Sequence, residues 1–155
     1  MKLNGSEKKE FDRLINSMVN NPKVKEMQDY IAHGHISVFH HSLTVAETAF
    51  WLDKRLHLKA NDEELMKCAM LHDFYLYDWH KAKIKGNLFQ LHGFTHPETA
   101  CQNAIKYFDI NKKTQQAIKS HMWPLNLKEY PKSKEAWILC LADKICATEE
   151  TLFKR

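Results

Sequence analysis

Glycine and proline are scarce in this chain, at four residues each, which argues against long disordered segments and against the many tight turns of an all-β fold. Also missing is any continuous apolar run near the roughly 18 residues that a membrane helix requires. The opening residues, MKLNGSEKKEFDRL, hold no apolar stretch of signal-peptide length. The expectation is a cytoplasmic protein with no membrane partner. No block of Lys and Arg occurs, because the 23 basic and 19 acidic residues are interspersed; nucleic acid is therefore not an expected partner. Cysteine is limited to Cys68, Cys101, Cys140 and Cys146. None forms a CxxC pair, so zinc ribbons and dithiol redox motifs are excluded and reduced, mostly buried thiols are expected.

What remains is a chain of 155 residues, 44% hydrophobic, long enough for one domain with one sizeable core. Its formal charge of +4 suits a small anionic ligand. Apolar spacing predicts helices almost throughout. Phe11, Leu14, Ile15 and Met18 mark a first amphipathic helix, and Val24, Met27, Tyr30 and Ile31 a second after Pro22. Gly34 and Ser37 interrupt the pattern before Val45, Ala46, Ala49, Leu52 and Leu56 define a third, with His41 at its start. Asn61, followed by Asp62, Glu63 and Glu64, caps a helix through Leu65, Ala69 and Leu71. The stretch from Phe74 to Gly93 has no clean period and reads as an irregular excursion. Thr95 and Glu98, three apart around Pro97, form a capping-box signature for a helix through Ala100, Ala104 and Phe108. Asn111 caps another through Ala117 and Ile118, stopped at Trp123 and Pro124, and Ser133 to Arg155 reads as one long helix.

Several imidazoles and carboxylates fall on, or beside, the apolar faces of these helices. Asp143 lies within LCLADKIC, and an aspartate buried there needs a cation or several hydrogen-bond donors. His72 and Asp73 are adjacent at a helix end and can reach one ion. His121 likewise ends a helix, and His41 and His96 begin theirs. The blander reading is a set of satisfied core polar groups, or histidines favoured by helix termini. Imidazole and carboxylate together suit Fe, Mn, Zn, Co or Ni without selecting among them.

The order H, HD, H, H, D, carried by HSLTVAETA, MLHDF, HPETA, IKSHMWP and LADKICA, resembles the HD-domain superfamily of metal-dependent phosphohydrolases. The likeness runs from about Phe39 to Thr148. It implies an all-α fold, a single compact HD-type domain over 1–155, with scaffold helices in 1–32 and a metal-site core over about 39–148. It further implies that His41, His72, Asp73 and Asp143 are the core metal ligands, and that His96 and His121 are the added histidines of binuclear members. Two divalent transition-metal ions would then activate a water to cleave a small phosphate-containing substrate, such as a nucleotide.

Departures from the family pattern bear on the subclass. Leu76 stands three residues beyond Asp73, where many HD hydrolases carry Lys or Glu. A Gly-Tyr-Pro signature is absent, and no Glu-Asp pair follows the HD pair, which separates the chain from cyclic-di-GMP and guanosine-tetraphosphate hydrolases. HPETA and SHMWP loosely resemble symmetrical dinucleoside-tetraphosphate hydrolases without fixing that substrate. Asp73 and Lys144 are the catalytic candidates, Lys144 as a cation for phosphate charge. His33, His92, Lys81 and Lys83 are candidates for substrate contact, with His35 a further one. Two other functions fit the same residues: a di-iron oxygenase of the HD type and a non-catalytic metal- or ligand-binding sensor.

Overall fold

The computed structural model describes residues 2–79 and 92–153, the side chains of His92 and Phe153 excepted. Its elements are α1 (Gly5–Val19), a single turn α2 (Pro22–Lys25), a 3-10 turn (Glu26–Asp29), β1 (Ile31–His33), β2 (Ile36–Ser37), α3 (Val38–Leu56), α4 (Asp62–Leu71), α5 (His92–Tyr107), α6 (Lys112–Ser120) and α7 (Lys134–Phe153). The architecture is all-α apart from the two-residue-deep hairpin. No described helix is long and apolar enough to cross a membrane.

Helix starts follow the side chains that satisfy their free N–H groups. Asn4 accepts from the Ser6 and Glu7 amides while Glu7 reaches back to the Asn4 amide, a capping box that opens α1. Ser37 caps α3 through the His40 amide, Asn61 caps α4 through Glu64, and Asn111 caps α6 through Thr114. Ser133 accepts from the Ala136 amide where α7 begins.

α4 is the central element. From Leu65 to Leu71 every residue except Lys67 is buried, because α1, α3, α6 and α7 all pack around it. α3 lies along both α4 and α7, and α5 packs on α6. Phe11, Phe50, Met27, Leu65, Met66, Met70, Leu71, Phe74, Ile118 and Leu139 are the largest apolar side chains fully withdrawn from water. The four cysteines are free and buried among them.

Two local expectations need correction. The second helix does not run to Ile31: it ends after one turn and a 3-10 turn, and the chain then folds into the β1–β2 hairpin, pairing Ile31 with Ser37. Gly34, at φ 56°, supplies the left-handed turn residue that lets the chain reverse there. The Thr95 and Glu98 pair does not cap α5, which starts at His92 and carries Pro97 inside it. The Thr95 carbonyl accepts from Thr99 Oγ1 one turn on, and the Glu98 carboxylate accepts from Gln102 and pairs with Lys119, so both residues lie in a helix already under way. Of the excursion, Phe74 to Trp79 is irregular as expected, while Lys81 and Lys83 lie outside the described residues.

Leu65→Ala is expected to lower stability by about 2–5 kcal/mol, since its side chain is fully enclosed, and Asn61→Ala by roughly 1 kcal/mol through loss of the α4 cap. Urea denaturation checks both. A Leu65→Ala loss no larger than that of Asn61→Ala would contradict the central position of α4.

Candidate metal centre

Helix ends converge on one point. His41 comes from the first turn of α3, His72 from the C-cap of α4 with Asp73 directly after it, His96 from the second turn of α5, His121 from the C-cap of α6, and Asp143 from the middle of α7. All are buried. The six candidate metal ligands are thus brought together. They divide into overlapping groups of His41, His72 and Asp73, and of Asp73, His96 and His121, each with ligand atoms mutually within 4.8 Å.

Asp73 joins the two groups. Its Oδ2 lies 3.8 Å from His41 Nε2 and 3.6 Å from His72 Nε2. Its other oxygen, Oδ1, lies 3.2 Å from His96 Nε2 and 3.6 Å from His121 Nε2. Asp143 Oδ1 completes the first group at 3.2 Å from His41 Nε2 and 3.6 Å from His72 Nε2.

Hydrogen bonds on the outer ring nitrogens fix which nitrogen faces inward. A carbonyl oxygen can only accept, so His72 Nδ1–H donates to Ala69 (2.8 Å) and His121 Nδ1–H to Ile118 (2.7 Å), one turn back in each helix. His41 Nδ1 instead meets the carboxylate of Glu150 at 2.8 Å. In each case Nε2 is turned toward the cluster.

The residues present fit a divalent cation at each group. His72 Nε2 and Asp73 Oδ1 are buried without a hydrogen-bond partner of acceptable geometry. His96 Nε2 and His121 Nε2 face each other at 2.8 Å; His121 already carries its proton on Nδ1, so a shared proton or a cation must relieve the contact between lone pairs. Among the described residues no Lys or Arg pairs with Asp73, Asp143 or Glu150. Burying that much negative charge without a cation costs several kcal/mol per ion. Four imidazoles and two carboxylates are donors of the kind that suit transition metals better than Ca²⁺ or Mg²⁺.

These groups shift one another's protonation. Burial drives His41 down, but its hydrogen bonds to Asp143 and Glu150 outweigh it and push the imidazole up to about 10. His72 is also raised, against its burial, by the charges of Asp73 and Asp143. Burial works to raise Asp73 and Asp143, yet the surrounding histidines hold both well below the usual carboxylate range. His121 is lowered to about 3 by burial and by His96 and His72.

The remaining candidates scatter. Lys144 follows Asp143, but its Nζ donates to the His121 carbonyl at 2.9 Å and touches Cys140 Sγ at 3.3 Å. His33, on β1, is half-buried with its ring 5.1 Å from that of His41. Burial and the neighbouring His41 lower its pKa. His35 is exposed in the hairpin turn. His92 begins α5, and its side chain, like Lys81 and Lys83, is outside the described residues. Leu76 takes a left-handed φ of 49°, a conformation that costs a leucine on the order of 1 kcal/mol. On either side of it the rings of Tyr75 and Tyr77 stand 5.1 Å apart, Tyr75 also 5.9 Å from His96, so this bend places an aromatic wall beside the centre.

Glu150 was not foreseen. It is buried seven residues beyond Asp143 and therefore shares its helix face. The spacing Leu139, Asp143, Cys146, Glu150 carried that signal, since a glutamate in line with three buried residues needs a partner.

A family model for the HD domain matches residues 38–148, and the chain belongs to that family. HD domains are generally metal-dependent hydrolases that bind divalent ions, and the His and Asp groups found here are compatible with metal binding. No individual curated protein and no solved structure matches the chain significantly.

Because His41 holds a proton up to about 10, a divalent ion that takes its Nε2 at neutral pH must displace that proton. Binding at pH 7 is expected to release about one proton from this group, and affinity to rise roughly tenfold per pH unit until pH approaches the raised value. Calorimetry in buffers of different ionisation enthalpy counts the protons. A binding heat independent of the buffer would contradict the assignment of His41 as a ligand.

Proposed function

We propose that this protein is a binuclear metal-dependent phosphohydrolase acting on a phosphate ester or anhydride of a nucleotide or other small molecule. The observation that carries the reading is the division of Asp73, which presents Oδ2 to His41 and His72 and Oδ1 to His96 and His121. A carboxylate so placed suits a bridge between two ions, the arrangement used for in-line displacement at phosphorus. Divalent ions held there supply Lewis acidity toward phosphate oxygens and toward a water nucleophile.

The chain's own residues hold, orient and enclose. Nδ1 bonds to Ala69, Ile118 and Glu150 set the rings of His72, His121 and His41 before anything binds. Phe74 and Tyr75, both buried, close the inner side against water. Lys144 steadies the end of α6 through the His121 carbonyl and keeps a positive charge beside the centre. His33 lies on the hairpin side, where a substrate phosphate or its leaving group can meet it. Lys81, Lys83 and His92 belong to, or adjoin, the segment between Asp73 and His96, and are assigned to substrate contact. The surplus of basic residues favours an anionic ligand.

The test is a phosphate-release screen over nucleotides and small phosphate esters, with protein reconstituted separately with Mn, Fe, Zn, Co and Ni. Asp73→Ala should lose both ions and turnover while remaining helical, and the double variant His96→Ala, His121→Ala should keep one ion and lose most phosphate release. Wild-type turnover in Asp73→Ala would overturn the reading. Oxygen consumption by the reduced iron form, without phosphate release on any substrate, would replace it with a di-iron oxygenase.

A further inference from the structure

Three of the inward-turned imidazoles have a second nitrogen whose partner differs in kind. His72 and His121 donate to carbonyls one turn back in their own helices, Ala69 and Ile118. His41 reaches across the bundle to Glu150, 109 residues away in sequence. That partner is a side-chain carboxyl group from another helix, where the other two are backbone carbonyls.

Neither packing nor helix electrostatics accounts for Glu150. It is 2% exposed, its Oε1 has no hydrogen-bond partner, and it lies in the last turn of α7. An acidic group near a helix C-terminus faces the negative end of the macrodipole. Among the described residues no Lys or Arg offsets it, and its ion-pair partner there is His41. The hydrogen bond to that ring is what offsets the cost of burying this carboxylate, with His33 a second imidazole within 4.8 Å of it.

We propose that Glu150 is a positioning residue that makes the two metal positions unequal. The position of His41, His72, Asp73 and Asp143 fills first and tightly, and the position of Asp73, His96 and His121 is the weaker, exchangeable one. This rests on the binuclear reading above. Glu150 does so in two ways. It holds a proton of His41 on Nδ1, so that an ion displacing the Nε2 proton meets the lone pair without a tautomer change. It also raises the basicity of that imidazole, as carboxylates behind metal-bound histidines do. The same position already has Asp143, so it gathers two carboxylates besides the shared Asp73. The other position has only its share of Asp73.

The test is calorimetric titration of Mn²⁺ into chelator-stripped full-length protein, wild type beside Glu150→Ala, Glu150→Gln and, as a control for exposed charge on the same helix, Glu149→Gln. Wild type should show a tight and a weak class. Glu150→Ala should weaken the tight class about 10–100-fold and the weak class much less. Glu150→Gln keeps an acceptor for Nδ1–H without the charge and should fall between, while Glu149→Gln should match wild type. One equivalent of Co²⁺ gives a second readout, since a changed His41 ring alters its visible absorption. Two equal classes in the wild type, or two classes weakened alike by Glu150→Ala, would overturn this inference and leave the binuclear reading standing. A single ion in the wild type would overturn both. Should Glu150→Ala not fold, Glu150→Gln decides, and unchanged affinity in it overturns the proposal.

Discussion

Negative charge buried without a fixed cation is the constraint on which the rest of this structure depends. Asp73, Asp143 and Glu150 are withdrawn from water, and the described partners of all three are imidazoles. Imidazole is the one ordinary side chain that can answer such charge in two ways, by taking a proton or by offering a lone pair to a metal that takes the proton's place. His41, pushed up to about 10 by Asp143 and Glu150 against its burial, is disposed to the first mode. The second mode needs the same nitrogens in the same directions, so one arrangement of side chains serves both states. Ions bound only by the folded chain add to its stability, and the site and the fold are linked through them.

Helix termini make this convergence possible. A residue at a helix end has its backbone set by the helix, yet its side chain escapes the flank and can point past the last turn. His72 and His121 both use this position, and both bond back to the carbonyl three residues earlier, in the last turn of their own helix; at Ile118 that carbonyl also accepts the His121 amide at 3.5 Å. The last-turn carbonyls thus become the fixtures that orient the rings. α7 contributes differently, running past the site so that Asp143 and Glu150, two turns apart, act on the near and far sides of His41.

Much of this was legible in the sequence because the signals were local. Asn61 and Asn111 stand just before amphipathic runs and cap them as read; His72, Asp73, His121 and Asp143 sit where apolar periodicity ends or turns inward. The misreadings came where a nonlocal contact outweighed a local pattern. The β1–β2 hairpin was hidden because Tyr30 and Ile31 continue a helical spacing, and only the pairing with Ser37 makes them extended. Thr95 and Glu98 have the spacing of a cap, but α5 begins three residues earlier and absorbs them. Glu150 escaped notice because its partner lies 109 residues away, and helical phase alone says that a residue faces inward without saying what it meets.

Lys144 shows how the charge is kept for a mobile ion. A lysine next to Asp143 could have paired with it, and at low dielectric such a pair would be tight enough to compete with a metal for the carboxylate. Its Nζ goes instead to the His121 carbonyl and to Cys140 Sγ. There an ammonium meets the negative end of α6, a favourable placement worth a few tenths of a kcal/mol to about 1 kcal/mol, and it braces the terminus that carries a ligand. The fixed cation thereby stabilises the scaffold and leaves Asp143 unpaired by lysine. The carboxylates at the centre are left to be answered by whatever can bind and leave.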